Sequence, residues 1–306
     1  MSALLFPALP AGATLGLIAP AGPPKPGTLE QVPALLAAHG FRAKLLPHAA
    51  GPAHLGFLAA DDEGRLADLH AAFADPAVDA VYALRGGYGC ARLLDRIDTA
   101  LLLRHPKPLI GYSDITSLHG LLDGLGLPSL HAPMPASDLL HPEAGPDAAA
   151  LFGLLRRGLR AGDRLAPPLA AHALNQGEGA SGRLIGGNLA VFTALLGTPW
   201  MPRPEGAILF IEDVAEEPYR VDRLLAQLRH AGVLDAVAGF LVGSFSDAED
   251  PTAVLADYLG PLGKPVLAGW PSGHCRPNAA LPLGLRVRMD VVGRGLELQA
   301  GAGPGR

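Results

Sequence analysis

An α/β fold in two parts is predicted for this chain: an N-terminal flavodoxin/Rossmann-like domain built on a parallel sheet, then a C-terminal mixed α+β, barrel-like domain. Three observations carry that expectation. Through the first 160 positions, short apolar runs alternate with helical patterns of ten or more residues, the signature of βαβ units. Between Pro142 and Gly179 the pattern gives way to a stretch rich in Pro, Gly and small residues, including "PPLAAHALNQGEGA", which reads as a crossing between domains. After it, strands and helices resume and end in an alternating tail suited to antiparallel strands. The expected divisions are 1–160, a linker at 161–181, and 182–306.

The elements follow in order. "TLGLIAPAG" (14–22) is a strand running into a Gly/Pro loop, with a helix from about Leu29 to His39 and a second strand in "FRAKLLP" (41–47). "GRLADLHAAFAD" (64–75) has the apolar spacing of a helix, and "AVDAVYALRGG" (77–87) is a buried strand ending in glycines. "CARLLDRI" reads as helical, "KPLIGY" as a strand and "DITSLHGLLDGLG" as a helix. A further helix is expected at Pro146 to Arg157. Beyond the linker come "GRLIGGNLAVFTALLG", the strand "GAILFIEDV" (206–214), the helix "YRVDRLLAQLRHAG" (219–232), and the strands "FLVGSF" and "KPVLAG". The tail "PLGLRVRMDVVGRGLELQA" alternates about a hairpin turn at Gly293 to Gly295. In a parallel sheet, ligands gather at the C-terminal ends of the strands. Both "ALRGGYG" and "IGYSD" occupy that position.

Composition narrows the function. Nearly half of the 306 residues are hydrophobic and 17% are charged, ample for a buried core, and the net charge of −5 argues against a nucleic-acid binder. The apolar runs are strand-length, so no membrane span is expected. Met1 to Pro10 carries no Lys or Arg, so no signal peptide is expected either. Two cysteines, Cys90 and Cys275, make no disulfide framework, and a cytoplasmic protein is expected. No H-x-x-x-H or C-x-x-C spacing occurs, so neither zinc nor another cofactor is expected.

The candidate chemistry begins at "PLIGYSDITSLHG" (108–120). A serine between a strand and a helix either caps the helix or is a nucleophile held at a strand-to-helix turn. As a nucleophile, Ser113 needs a base. His39, His70 and His230 sit in helical patterns as surface positions, and His105, His141 and His172 lie in loops. His119, six residues after Ser113, reads as a partly exposed helix residue. His131 in "SLHAPM" and His274 in "GWPSGHCRPN" remain, both after strands, where catalytic residues concentrate. A base needs an orienting acid. Glu212 and Asp213 follow four apolar strand residues, as a solvated strand end or as site residues. Ser113, Glu212 and His274 stand in the chain order of α/β-hydrolases, but "GYSDI" lacks the second glycine of G-x-S-x-G, which disfavours that fold.

Taken together, "ALRGGYGCARLL", "IGYSDITSLH", "GGNLAVFTALLGTPW", "LFIEDVAEEPYRVDRLLAQL" and "GHCRPNAALPLG" resemble the L,D-carboxypeptidases, the muropeptide and microcin-immunity serine peptidases of family S66. The likeness covers most of the chain. It implies a Ser-Glu-His triad of Ser113, Glu212 and His274, with the nucleophile on the first domain and its partners on the second. Asp114 is a natural amide donor for the oxyanion, and Gly86 or Gly87 a second. Arg85 in "LRGG" is placed to hold a substrate carboxylate or, equally, to form an ion pair at the strand end. The implied reaction removes terminal D-alanine from a murein tetrapeptide or a related small peptide during cytoplasmic cell-wall recycling. The implied assembly is a homodimer. The immunity branch instead cleaves aminoacyl-nucleotide analogues, using an added aromatic-bearing loop. Residues 158–181 contain no Trp, Tyr or Phe, which favours the peptide branch.

Three readings compete. "RGGYGCAR" suggests a dinucleotide-binding protein, but Arg92 stands where the fingerprint needs Gly or Ala. Cys275 or Cys90 as nucleophile lacks a Cys-His arrangement, and both read as small semi-buried residues. An inactive binding module on the same scaffold is the third. Cys275 and Arg276, beside His274, depart from what the resemblance leads one to expect. "HAPM" (131–134) is expected to line the cleft near Ser113.

Overall fold

The computed structural model describes residues 3–301. After β1 (Leu4–Phe6), the parallel strands β2 (Thr14–Ile18), β3 (Arg42–Leu45), β4 (Ala80–Ala83), β5 (Leu109–Gly111) and β6 (Ser129–His131) form the first sheet. The connections carry α1 (Val32–Ala38), α2 (Asp62–Ala74), α3 (Thr99–Arg104) and α4 (Thr116–Gly124). β2 and β4 are buried at every position, as strands covered on both faces must be. α2 starts at Asp62 because the Asp61 carboxylate accepts the Gly64 N–H at 2.8 Å. The order β3-β2-β4-β5-β6 reverses direction between β2 and β4. This is the flavodoxin-like order, and the reversal opens a crevice at the strand ends where such sheets take ligands.

"CARLLDRI" departs from expectation: Cys90–Arg96 is a 3₁₀ segment, not an α-helix. Its first groups are engaged by tertiary partners. The Cys90 N–H donates to the Asp114 carboxylate at 2.8 Å, and Gly89 O accepts from Arg65 as well as from Arg92 N–H three residues on.

α5 (Gly145–Arg157) is followed by β7 (Leu159–Arg160), which pairs with β1, and by β8 (Arg164–Leu165). The second sheet has the order β12-β11-β10-β9-β14-β15-β8. Its long strand, β9 (Gly179–Asn188), runs antiparallel to β14 along its first half and parallel to β10 along its second. α6 (Leu189–Thr193) follows directly, with Asn188 as its cap. β10 (Ile208–Val214), α7 (Pro218–His230), β11 (Gly239–Ser246) and β12 (Val266–Ala268) continue the parallel part. The chain then crosses back. β13 (Leu281–Leu283) pairs antiparallel with β6 and becomes the edge of the first sheet. β14 (Arg286–Asp290) and β15 (Gly295–Leu298) form the expected hairpin, its turn held by the Asp290 carboxylate accepting from Gly293 N–H at 2.7 Å.

Strand alternation on β10 decides which faces meet. Ile208 and Phe210 join the large core that packs the first sheet, while Leu209 and Ile211 join a separate core under α6 and α7. The next residue in the first series is Glu212, and the next in the second is Asp213. The apolar pattern of one strand thus aims the glutamate at the junction of the sheets and the aspartate away from it.

Candidate active site

Ser113 stands two residues beyond β5, at the C-terminal end of a central strand of the first sheet. Its backbone is left-handed, with φ +65°. A non-glycine residue pays about 1–2 kcal/mol there, and such strain survives only where the surrounding structure demands it. Neither the 3₁₀ turn Ser113–Ile115 nor α4 has a side-chain cap, so the serine is not a capping residue.

Gly86 closes one side of that turn. A Cβ at position 86 would lie 2.9 Å from Ser113 Oγ and 3.4 Å from Asp114 N, so only glycine lets the loop approach this closely. Gly86 and Asp114 are buried, yet neither amide has an acceptor among the described residues. Unspent buried N–H groups are rare. Two of them beside one hydroxyl are what an oxyanion requires. Gly87, the other candidate, is exposed, with its Cβ position against the Gly22 backbone.

Supporting residues hold this loop, and sequence reasoning did not find their roles. The Asp114 carboxylate ties down the far end of the glycine turn at Cys90 N–H, and burial pushes its pKa up against those hydrogen bonds. Arg65, 2% exposed, donates to Pro20 O, Gly89 O and Ala60 O and pairs with Asp62. A buried arginine within "GRLADL" has no local signal, since its partners come from three separate loops. Among the described residues Arg85 forms no ion pair. Its Nε and Nη1 donate to Gly86 O at 3.1 Å and Pro23 O at 3.0 Å, joining the loops at the β2/β4 crevice. Nη2 lies 3.7 Å from the Cβ position of Gly87.

The second sheet supplies an acid and a histidine already joined. Glu212 is fully buried, at a register shift between β10 and β11 that re-aims the strand. Its Oε2 accepts from His274 Nδ1–H at 2.8 Å and from the His274 backbone N–H at 3.2 Å. Burial pushes the Glu212 pKa up, but the two histidines facing it, His131 and His274, outweigh that and hold it at about 2. Burial lowers the His274 pKa, and the Glu212 carboxylate more than offsets it, leaving a net rise. Gly273 makes the contact possible: a Cβ there would sit 2.4 Å from Glu212 Oε2, and its φ is +111°. Asp213 faces the other way, accepting from Asn188 Nδ2 at 2.7 Å and Ala190 N at 2.9 Å. Burial raises its pKa to about 6.

Tyr112 links the two halves. It precedes Ser113, its ring packs 4.8 Å from the His274 ring, and its hydroxyl donates to Asp138 at 2.8 Å. No hydrogen bond joins Ser113 to His274 among the described residues, a looseness common in catalytic sites without substrate.

Several expectations need correction. His119 is buried, not partly exposed. Its Nε2–H donates to Gly111 O at 2.9 Å and its Nδ1 accepts from Ser129 at 2.8 Å, bracing the strand that carries Ser113. Burial lowers its pKa to about 3. The segment His131 to Met134 is buried and does not line an open cleft. Cys275 Sγ donates to Pro277 O, and burial raises its pKa to about 11, while burial also raises that of Cys90. Neither thiol is activated. Arg92 pairs with Asp62 on the surface, and the glycines before it lead into a 3₁₀ turn, not the helix N-terminus a dinucleotide needs.

A strained serine at the end of a flavodoxin-like sheet, with a carboxylate-bound histidine from a second sheet, is an arrangement suited to a serine hydrolase. Comparison with known proteins gives the family. Residues 15–132 match the LD-carboxypeptidase N-terminal domain and residues 181–289 the LD-carboxypeptidase C-terminal domain of peptidase family S66. A Bacillus subtilis protein named probable murein peptide carboxypeptidase is 38% identical, the match covering 97% of this chain and 95% of that one. The crystal structure of muramoyltetrapeptide carboxypeptidase from Oxalobacter formigenes superposes with a TM-score of 0.84 at 30% identity, over 95% of this chain and 100% of that one. The microcin C7 self immunity protein MccF, in complex with aspartyl sulfamoyl adenosine, shares the fold with a TM-score of 0.87 at 23% identity, over 97% and 99%. The chain belongs to the S66 LD-carboxypeptidase family and is a serine carboxypeptidase.

Proposed function

We propose that this enzyme hydrolyses the L,D-peptide bond to a terminal D-alanine of murein tetrapeptides, with Ser113 as nucleophile, His274 as base and Glu212 as acid. The observation that carries the reading is the packing of Tyr112, the chain neighbour of Ser113, on a histidine already bonded to a buried carboxylate. His274 takes the Ser113 proton as Oγ attacks the carbonyl carbon, and Glu212 offsets the charge gained by the ring. The amides of Asp114 and Gly86 receive the oxyanion. His274 then protonates the leaving amine, D-alanine departs, and water activated by the same ring cleaves the acyl-enzyme. Arg85 Nη2, at the β2/β4 crevice, binds the terminal carboxylate.

The identity with a murein peptide carboxypeptidase supports this substrate class. So does the absence of any Trp, Tyr or Phe from 158–181 to stack on a nucleobase. A cytoplasmic, homodimeric enzyme goes with the same reading, and the two free cysteines suit a reducing compartment. No helix among the described residues is long and apolar enough to cross a membrane.

Mass spectrometry of purified protein with murein tetrapeptide tests the reading. The expected result is loss of one D-alanine, abolished in Ser113→Ala. Product formation that persists in that variant overturns the mechanism. Cleavage of an aminoacyl-sulfamoyl adenosine without tripeptide formation assigns the microcin-type reaction instead.

A further inference from the structure

The two oxygens of Glu212 are treated unequally. Oε2 accepts two hydrogen bonds from His274, whereas Oε1, equally buried, accepts none. His131 Nε2 is also buried without a partner, and the two orphans face each other at 3.7 Å. A hydrogen bond needs them about 0.7–0.8 Å closer. His131 comes from the last residue of β6, on the first sheet, and so reaches the acid from the nucleophile's side of the molecule.

The surroundings of His131 fix what it can offer. Its Nδ1 lies 3.4 Å from Ser272 Oγ, so the serine hydroxyl can donate there and leave the N–H on Nε2. Its ring packs against Tyr112, Phe210 and His119, at 5.4, 4.9 and 6.4 Å between centroids. Fully buried among them, it does not reach solvent. The groups facing Glu212 are then His274, His131 and Tyr112, with Asp213 beside it on β10 pointing to the other face. Ser113 has no hydrogen bond to His131, and His274 already holds the base position.

We propose that His131 is a positioning residue for the reaction: its Nε2–H occupies Glu212 Oε1, so that the carboxylate keeps Oε2 on His274. Resting on the Ser113–Glu212–His274 reading above, this makes the acid a bridge between two histidines, one from each sheet. Losing the His131 donor frees the carboxylate to rotate and leaves its charge undivided for His274. The turnover step suffers, while ground-state peptide binding does not.

The test uses His131→Leu, which fills similar space without a donor, and His131→Gln, whose amide nitrogen approximates Nε2. Two readouts keep the proposal separate from the reading it rests on. Phosphonylation of Ser113 by a fluorophosphonate, in which Oγ bonds phosphorus and fluoride leaves, followed by intact mass, needs no knowledge of the substrate, whereas D-alanine release from murein tetrapeptide does. A wild type that is phosphonylated but leaves the peptide intact refutes the substrate and not the role of His131. Folding of both variants is checked by thermal midpoint. Expected is a fall of about 10–100-fold in phosphonylation rate and kcat for His131→Leu, the range in which loss of a supporting hydrogen bond acts. KM stays within about twofold, the acid limb of kcat/KM moves to higher pH, and His131→Gln restores most of the rate and the original limb. Wild-type rates and an unmoved acid limb in His131→Leu overturn the proposal. So does an equal loss in two folded variants, which reduces His131 to packing.

Discussion

The two halves of the site are built on opposite principles. On the second sheet, Glu212 and His274 form a bonded, buried pair, with Gly273 removing the side chain that would block it. On the first sheet, Ser113 sits in a strained left-handed turn, and among the described residues neither its hydroxyl nor the nearby amides of Gly86 and Asp114 have a partner. In the second half the contact to His274 is already made, although Glu212 Oε1 stays without a partner. In the first the groups stay unengaged, and in the proposed mechanism a tetrahedral oxyanion completes them. The acid and base must hold one tautomer throughout, whereas donors satisfied in the ground state would gain nothing in the transition state. Backbone strain therefore concentrates at Ser113 and hydrogen bonding at Glu212 Oε2, while orphaned polar groups occur on both sides.

That contrast can be broken from either side. The largest effect is expected from Glu212→Gln, which keeps shape but removes the charge that orients and stabilises His274. A loss of kcat of about 10³–10⁴-fold is expected, with KM little changed, in steady-state kinetics. A loss below tenfold would show that the bonded half is structural. Next is Gly86→Ala, whose Cβ meets Ser113 Oγ at 2.9 Å. It should reduce kcat by about 10²–10³-fold through the oxyanion site, with a thermal midpoint close to wild type.

A third expectation concerns pH. His274 must be neutral to act as base, and its raised pKa puts the acid limb of kcat/KM above the ordinary value of 6.5. Activity should fall as pH drops through that raised value, and Glu212→Gln, by removing the attraction, should move the limb down. Stability follows the same pair with opposite signs. His274, raised on folding, stabilises fully below 6.5 and loses that contribution as pH rises through its folded value. Glu212, depressed from 4.5 to about 2, stabilises above 4.5 and loses its contribution as pH falls toward 2. Thermal midpoints across this range should therefore be carried by Glu212 at the acid end, and Glu212→Gln should flatten that end.

Arg85→Ala should act more narrowly, raising KM by about tenfold while kcat holds within a few-fold, as loss of a carboxylate contact shared by ground and transition states does. Cys275→Ser is expected to be smallest, within about twofold in kcat/KM, because an unactivated thiol donating to Pro277 O has no part in the chemistry.

Much of this was legible before any coordinates. The alternation of apolar runs with helical patterns described the parallel sheet, because burial on both faces leaves a periodic trace. The place of Ser113 between a strand and a helix marked the turn, while the choice between cap and nucleophile stayed open in the local pattern. Other features left no local trace. Whether the acids of "FIED" were a solvated strand end or site residues stayed even in the local pattern, because both residues end the same strand. His119 and Arg65 read as ordinary helix positions, since His119 finds its partners on β5 and β6 and Arg65 reaches loops up to 45 residues away. The return of β13 to the first sheet was invisible for the same reason: pairing partners 150 residues apart carry no shared pattern.

By itself, then, the sequence determined the strands and helices, the turn that lifts Ser113, and the set of groups from which a serine hydrolase could be assembled. Only the tertiary structure decided which groups meet. Period-two alternation along β10 points Glu212 at the junction of the two sheets, Tyr112 brings His274 against that turn, and β6 carries His131 to the acid's second oxygen. Local propensity acts over a few residues, whereas orientation of a buried charge depends on which surfaces the whole chain closes over it.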